Sequence, residues 1–204
     1  MTETNMPERA LLVRHDEAER LDTMGVRLYA DHTTTGGTMS ANRTFLAPGV
    51  EGPPPHYHTT SAELFYVLDG KLRVLAGEEI VTVGDGDFLL IPPHMVHAWA
   101  APADSSADVL IVFTPGIERF EYFRLGERIR RGEASPTEIL DTQERFDNYF
   151  TDSQIWRHAQ HHDNRPHLEG SQQRAQFLSS AVLQPQANPP AGALDEGAED
   201  GEKS

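Results

Sequence analysis

The chain of 204 residues contains no cysteine. Disulfide stapling is thereby excluded, and so is any metal site built on thiolates. Long apolar runs are also missing, and no stretch approaches the roughly 18 residues that a membrane helix needs. The opening MTETNMPERALLVRHDEAERL has neither the basic region nor the apolar core of a signal peptide. Together these absences lead to the expectation of a cytoplasmic protein without a membrane partner. Basic charge is scarce as well. Seventeen Lys and Arg face 32 Asp and Glu, a formal net charge of −15, so nucleic acid is not an expected partner. Five of the acids lie in the final LDEGAEDGEKS, and the rest of the chain is acidic without them. No internal repeat of useful length is present.

What is there reads first as β-structure. From about residue 10 to residue 115, short apolar runs are broken by Gly, Pro and Asp every eight to twelve residues. ALLVR, GVRLYA, TMSANRTFLAP, ELFYVLDG, KLRVLAG, EIVTVG, DFLLIPP, HAWAAP and DVLIVFTP are the candidate strands. Many short strands at this spacing predict an all-β, antiparallel sandwich or barrel. LDGKL and GEE are expected to be hairpin turns, and GDGDF a tighter corner. After Gly116 the grammar changes. IERFEYFRLGERIRRG has helical spacing of Phe120, Phe123 and Ile129. SPTEILDTQERFDNYF opens with Ser135 as N-cap, Pro136 at the first helical position and Glu138 completing a capping box. Ile139, Leu140, Phe146, Tyr149 and Phe150 are expected on one packed face. The predicted organisation is one domain over 1–183, with a barrel at about 10–115 and helices packed outside it over about 117–160. The stretch 184–204 is too poor in apolar residues to order itself and is expected to be a disordered acidic tail.

The chemistry gathers in two stretches, HYHTTSAE and GDGDFLLIPPHMVHAWA. Side chains of a strand alternate faces, so His56 and His58 point the same way, roughly 7 Å apart along the backbone. Such a pair can converge on one ion at metal–nitrogen distances of about 2.0–2.1 Å. Glu63 reaches the same point if the chain turns through Thr59–Ala62, and His97 stands at another strand start after prolines. Three imidazoles and one carboxylate suit Fe, Ni, Co, Mn, Cu or Zn, and donor type alone does not select among these metals. One divalent transition metal per chain is therefore the expected cofactor.

These residues carry a resemblance to the cupin superfamily. Its first motif is matched by His56, His58, Glu63 and Gly70, and its second by Gly86, Pro92 and His97. The chain departs from the pattern at Val50, His94 and Ala101, where the family usually has Gly, Gly and Asn; no ligand position is affected. The resemblance implies a jelly-roll β-barrel and a metal held by His56, His58, Glu63 and His97. Within the cupins, TTSAELFYVLDGKL, PPHMVHAWA and the step through Pro115–Gly116 into Glu118, Arg119 and Phe120 are similar to bacterial single-domain quercetinases. In that family the glutamate is both ligand and acceptor of the flavonol hydroxyl proton, and dioxygen opens the ring with release of carbon monoxide. The resemblance implies those roles for Glu63. It also leaves open a polyketide cyclase, isomerase or dehydratase that consumes no oxygen, and a non-catalytic small-molecule-binding cupin.

Other residues near the motifs have plainer roles open to them. Phe65 and Trp99 share strand parity with Glu63 and His97 and are expected either to wall a pocket for a small aromatic or polyketide-like substrate or to be ordinary barrel core. Tyr57 should face the opposite side from the histidines. His94 is expected to be a turn residue in left-handed conformation rather than a ligand. His158, His161, His162 and His167 read as polar residues at a helix end. Leu64, Tyr66 and Leu68 make the outer face of their strand apolar too, which implies cover by helices or a second subunit, hence a homodimer.

Overall fold

Strand alternation builds the core. The computed structural model describes residues 9–163. In β9 (Ala107–Thr114), Ala107, Val109, Ile111 and Phe113 are buried while the residues between them are more exposed. β2 (Val26–Ala30) alternates in the same way. Such strands have one apolar face, and two sheets must close over each other to remove those faces from water.

One sheet runs in the order β1 (Glu19–Leu21), β2, β3 (Ser40–Leu46), β9, β5 (Ala62–Ala76), β7 (Phe88–Ile91). The other runs β10 (Tyr149–Phe150), β4 (His56–Tyr57), β8 (His97–Ala100), β5, β6 (Glu79–Gly84). All pairings are antiparallel, and the architecture is a jelly-roll barrel with helices outside. β5 belongs to both sheets. Its first half pairs with β9 and β7, and its second half with β6 and β8.

That shared strand corrects the hairpin expected at LDGKL. The chain changes sheets there without reversing direction, so β5 is one strand of 15 residues. Gly70 is the corner, with φ +81°; a Cβ there would lie 2.0 Å from the carbonyl oxygen of Ser106. The inward set moves from Glu63, Phe65 and Val67 before the corner to Leu72 and Val74 after it. A bulge between Val67 and Asp69 absorbs this change of parity. GEE and GDGDF are turns as expected.

Two further expectations are overturned. ALLVR (10–14) forms no strand: Leu11 and Leu12 are exposed and no described strand pairs with the segment. The first strand is instead Glu19–Leu21, against β2. After the barrel, α1 (Phe120–Arg130) packs Tyr122, Phe123, Leu125 and Ile129 against Leu21, Val26 and Leu28. α2 (Thr137–Asp141) begins with the Glu138 carboxylate accepting the Ser135 N–H at 2.8 Å, one arm of the expected box. The helix then stops after five residues. Ile139 and Phe146 are buried with α1, but Tyr149 and Phe150 belong to β10. An open strand edge at β4 competes for these residues and wins, because it pairs their backbone groups. α3 (Gln154–Asp163) docks Trp156 on Leu75, Ala98 and Ala100. His158 is exposed; His167 and the 184–204 segment lie outside the described residues. No described helix is long and apolar enough to cross a membrane.

Candidate metal centre

The four residues come from three strands and one turn. His56 in β4 stands directly opposite His97 in β8, with ring centroids 4.2 Å apart. His58 follows β4, and Glu63 lies on β5 between Phe113 of β9 and Ile91 of β7. One ligand atom from each of the four falls within 4.8 Å of all the others, and all four residues are buried. The turn through Thr59–Ala62 does return the chain to the histidines.

Each imidazole is oriented through its Nδ1. The Nδ1–H of His56 donates to the Pro54 carbonyl at 2.9 Å, and that of His97 to the Met95 carbonyl at 2.9 Å. The Nδ1–H of His58 donates to the Asp147 carbonyl. With that proton committed, each Nε2 presents a lone pair to the centre, the arrangement a metal-binding histidine requires. His58 Nε2 is 3.1 Å and His97 Nε2 2.7 Å from Glu63 Oε2, while His56 Nε2 is buried with no hydrogen-bond partner.

The charges point the same way. Burial, with the charges of His97 and His58, holds His56 well below the ordinary histidine pKa. His58 is lowered by burial, partly opposed by Glu63. Burial pushes the Glu63 carboxyl up, but the pull of His58 and His97, each able to carry a proton on Nε2 toward it, outweighs burial and holds the group well below the carboxylate range. A neutral His58 beside an ionised Glu63 sets lone pair against lone pair, and only a cation or a proton between them makes the contact favourable. A divalent ion satisfies all of these atoms together, including the orphaned His56 Nε2. The residues fit such an ion.

Asp147 is the residue that reading the sequence missed. Its carboxylate accepts the N–H of Thr59 at 2.8 Å and of Thr60 at 2.9 Å, and also both threonine hydroxyls. Its carbonyl receives His58. One residue of the helical extension thus ties down the turn between His58 and Glu63 and aims one of the imidazoles. Asp147 has φ +46°, a conformation that short polar side chains tolerate. Nothing in its spacing from the motifs signals this role.

His94 has φ +67° and an exposed side chain, away from the cluster, while its N–H donates to the His58 carbonyl at 2.7 Å. Tyr57 faces away from the histidines and stacks on Tyr149 with ring centroids 5.4 Å apart. His56 and Glu63 open onto a cavity of about 70 Å³, whose wall includes Trp99, Arg119, Tyr122, Phe123 and Phe150. Phe65 is not part of that wall; it is fully buried in the core and meets Trp99 edge to face at 6.2 Å.

Residues 42–113 match the family described as the cupin domain, and they include all four clustered residues. Over those residues the barrel has the fold and motifs of a cupin domain. Its His-His-Glu-His cluster fits a cupin metal site. The chain is 29% identical over 128 residues to quercetin 2,3-dioxygenase of Bacillus subtilis (strain 168), covering 59% of this chain and 36% of that protein. It is 32% identical over 95 residues to 3-hydroxyanthranilate 3,4-dioxygenase of Jannaschia sp. (strain CCS1), covering 42% of this chain and 53% of that protein. The chain therefore spans between about a third and a half of the length of these relatives. Among solved structures it is similar to the nucleoside dehydratase Pac13, with a TM-score of 0.45 and 16% identity, over 54% of this chain and 87% of that one.

Proposed function

We propose that this cupin is a metal-dependent dioxygenase acting on an enolisable aromatic substrate, with Glu63 as both ligand and base. The observation that carries the reading is the position of Glu63. A single carboxylate is held among three Nε2 atoms and also lines the adjoining cavity, within reach of a substrate hydroxyl. The similarity to two dioxygenases supports the reaction class. A divalent transition metal held here would supply Lewis acidity and open coordination positions. The chain's own residues do the remainder. Nδ1 hydrogen bonds fix the imidazoles before substrate arrives, so no ligand has to reorganise. Glu63, ionised at neutral pH, takes the hydroxyl proton and leaves the substrate electron-rich, as attack by dioxygen requires. Trp99, Phe123 and Phe150 wall the cavity with aromatic faces and limit water.

The test is oxygen uptake at matched metal occupancy, with flavonols and single-ring hydroxyaromatics as substrates. Glu63→Gln keeps the size and one oxygen but loses the basicity. After re-metallation it should remain about 10²–10⁴-fold slower than the parent. Recovery of the parental rate would leave Glu63 as a ligand only. Turnover without oxygen uptake would make the protein a cyclase or dehydratase instead.

A second copy of the chain is proposed on the outer face of β5 and β7. Tyr66, Leu68, Phe88 and Leu90 are exposed there, and no described helix covers them. Such a contiguous apolar patch suits burial between subunits. Light scattering should show a dimer that Leu68→Lys with Phe88→Lys converts to monomer.

A further inference from the structure

Arg119 is a buried guanidinium at the edge of the metal centre. It is 4% exposed and lines the same cavity as His56 and Glu63. Its backbone N–H donates to the Asp31 carboxylate at 3.0 Å, which fixes the start of α1 and hence the position of the side chain. The guanidinium carbon lies 4.2 Å from the Phe113 ring centroid and 4.3 Å from that of Tyr122. These faces stabilise a cation without neutralising it.

Its hydrogen bonding is incomplete. A guanidinium has five N–H donors, yet the side chain finds one acceptor, Asn148 Oδ1, at 3.3 and 3.4 Å from its two terminal nitrogens. Arg119 Nε has no partner. Neither does Asn148 Nδ2, nor Trp99 Nε1 in the cavity wall. Three buried donor groups thus have nothing to donate to among the described residues, two of them on side chains of the cavity wall, and a buried donor left unpaired is costly. The charge balance has the same sense. Glu51 and Arg130, the other charged residues of the wall besides Glu63, are of opposite sign. A divalent ion and Arg119 would together bring three positive charges against the single negative charge of Glu63. With the ion bound, the cavity would be cationic inside a chain whose net charge is −15.

We propose that Arg119 is the docking point for a carboxylate on the substrate, so that the substrate class is a small hydroxyaromatic or enolisable acid. This rests on the reading of the site as a metal-dependent enzyme and narrows its substrate. A carboxylate offers two acceptor oxygens to a planar donor fork, which a neutral ring cannot do. Docked there, the acid turns its hydroxyl toward Glu63 across the same cavity.

The probes are 3-hydroxybenzoate and its neutral counterpart 3-hydroxybenzamide, in which the two substituents are too far apart to chelate one ion. Binding to the cobalt-loaded full chain is measured by calorimetry, with metal content checked for every variant. The parent should prefer the carboxylate by about tenfold or more. Arg119→Met should abolish that preference with metal content unchanged. Asn148→Asp gives a nearly isosteric second variant that leaves Arg119 in place and sets an internal carboxylate against it. It should abolish the preference too, and it tests the proposal even if Arg119→Met fails to fold. Equal affinity of the parent for both probes overturns the proposal, as does a preference that survives both substitutions. An Arg119-dependent preference with no oxygen consumed on any substrate upholds the carboxylate site and sinks the dioxygenase reading. Oxygen-consuming turnover insensitive to both variants sinks the carboxylate site alone.

Discussion

The barrel and the segment that follows it contribute to one site in different ways. β4, β5, β8 and the turn after β4 supply every donor atom of the His-His-Glu-His cluster. The segment after Gly116 supplies no donor to it. It brings the Asp147 carbonyl to His58, the Asp147 carboxylate to the turn at Thr59 and Thr60, the pairing of Phe150 with His56, and Arg119 at the cavity wall. Strands are suited to the first task. Their fixed register sets side chains directly opposite each other, as with His56 and His97. A loop and a short strand are suited to the second, because their backbone carbonyls and short polar side chains are free to meet donors from elsewhere. The barrel supplies all the donors and, through the Pro54 and Met95 carbonyls, aims His56 and His97, whereas the extension aims His58 and anchors the turn that follows it.

The comparison breaks most directly at a ligand. His97→Ala should reduce metal affinity by more than about 100-fold, beyond the 10–100-fold range typical of supporting residues. Elemental analysis after dialysis against trace metal measures it. Full occupancy in this variant would remove β8 from the site.

Next in size is Asp147→Ala. The four donors of Thr59 and Thr60 lose their acceptor, and the turn between His58 and Glu63 loosens. Metal affinity should fall about tenfold, with occupancy recovering when metal is in excess. If Asp147→Ala empties the site as fully as His97→Ala, the division between donor and support fails. If it changes nothing, the barrel alone orients its histidines.

The smallest effect expected is that of acid on the metal-free protein. His56 and His58 are held below the ordinary histidine value of 6.5. Below that pH the unfolded chain takes up protons that the folded chain refuses, so stability is lost as pH falls through about 6.5 and downward. Each group contributes at most about 1.4 kcal/mol per pH unit. Between pH 7.5 and 5.5 the two together should cost roughly 2 kcal/mol in urea unfolding. Glu63 lies outside this window, since its contribution is lost only below the ordinary carboxylate range. Stability that is flat or rises on acidification would show that the histidines are already protonated in the folded protein.

Local pattern was legible wherever a neighbour on the chain or a period of two determined the outcome. The alternation of β9, the inward pairing of His56 with His58, and His94 in left-handed conformation are all written in the sequence within a few residues. LDGKL was misread for a physical reason. A glycine between two apolar runs serves a reversal and a sheet-crossing corner equally well, and only the position of Ser106 decides between them. The stretch from Pro136 to Phe150 was misread in its second half because helix spacing is a local preference, whereas the edge of β4 is a distant partner.

By itself, then, the sequence determined the His-His-Glu-His set, the β-class of the fold and the cupin motif spacing, because these depend on residue type and on short, rigid distances along a strand. The tertiary structure alone decided that Asp147 would aim His58, that Arg119 would be buried beside Glu63 without a carboxylate partner of its own, and that Phe65 would go to the core while Trp99 reached the cavity. Each of those outcomes depends on segments far apart in the chain meeting in space, and no local period encodes where a loop's carbonyl or a helix's first side chain will come to rest.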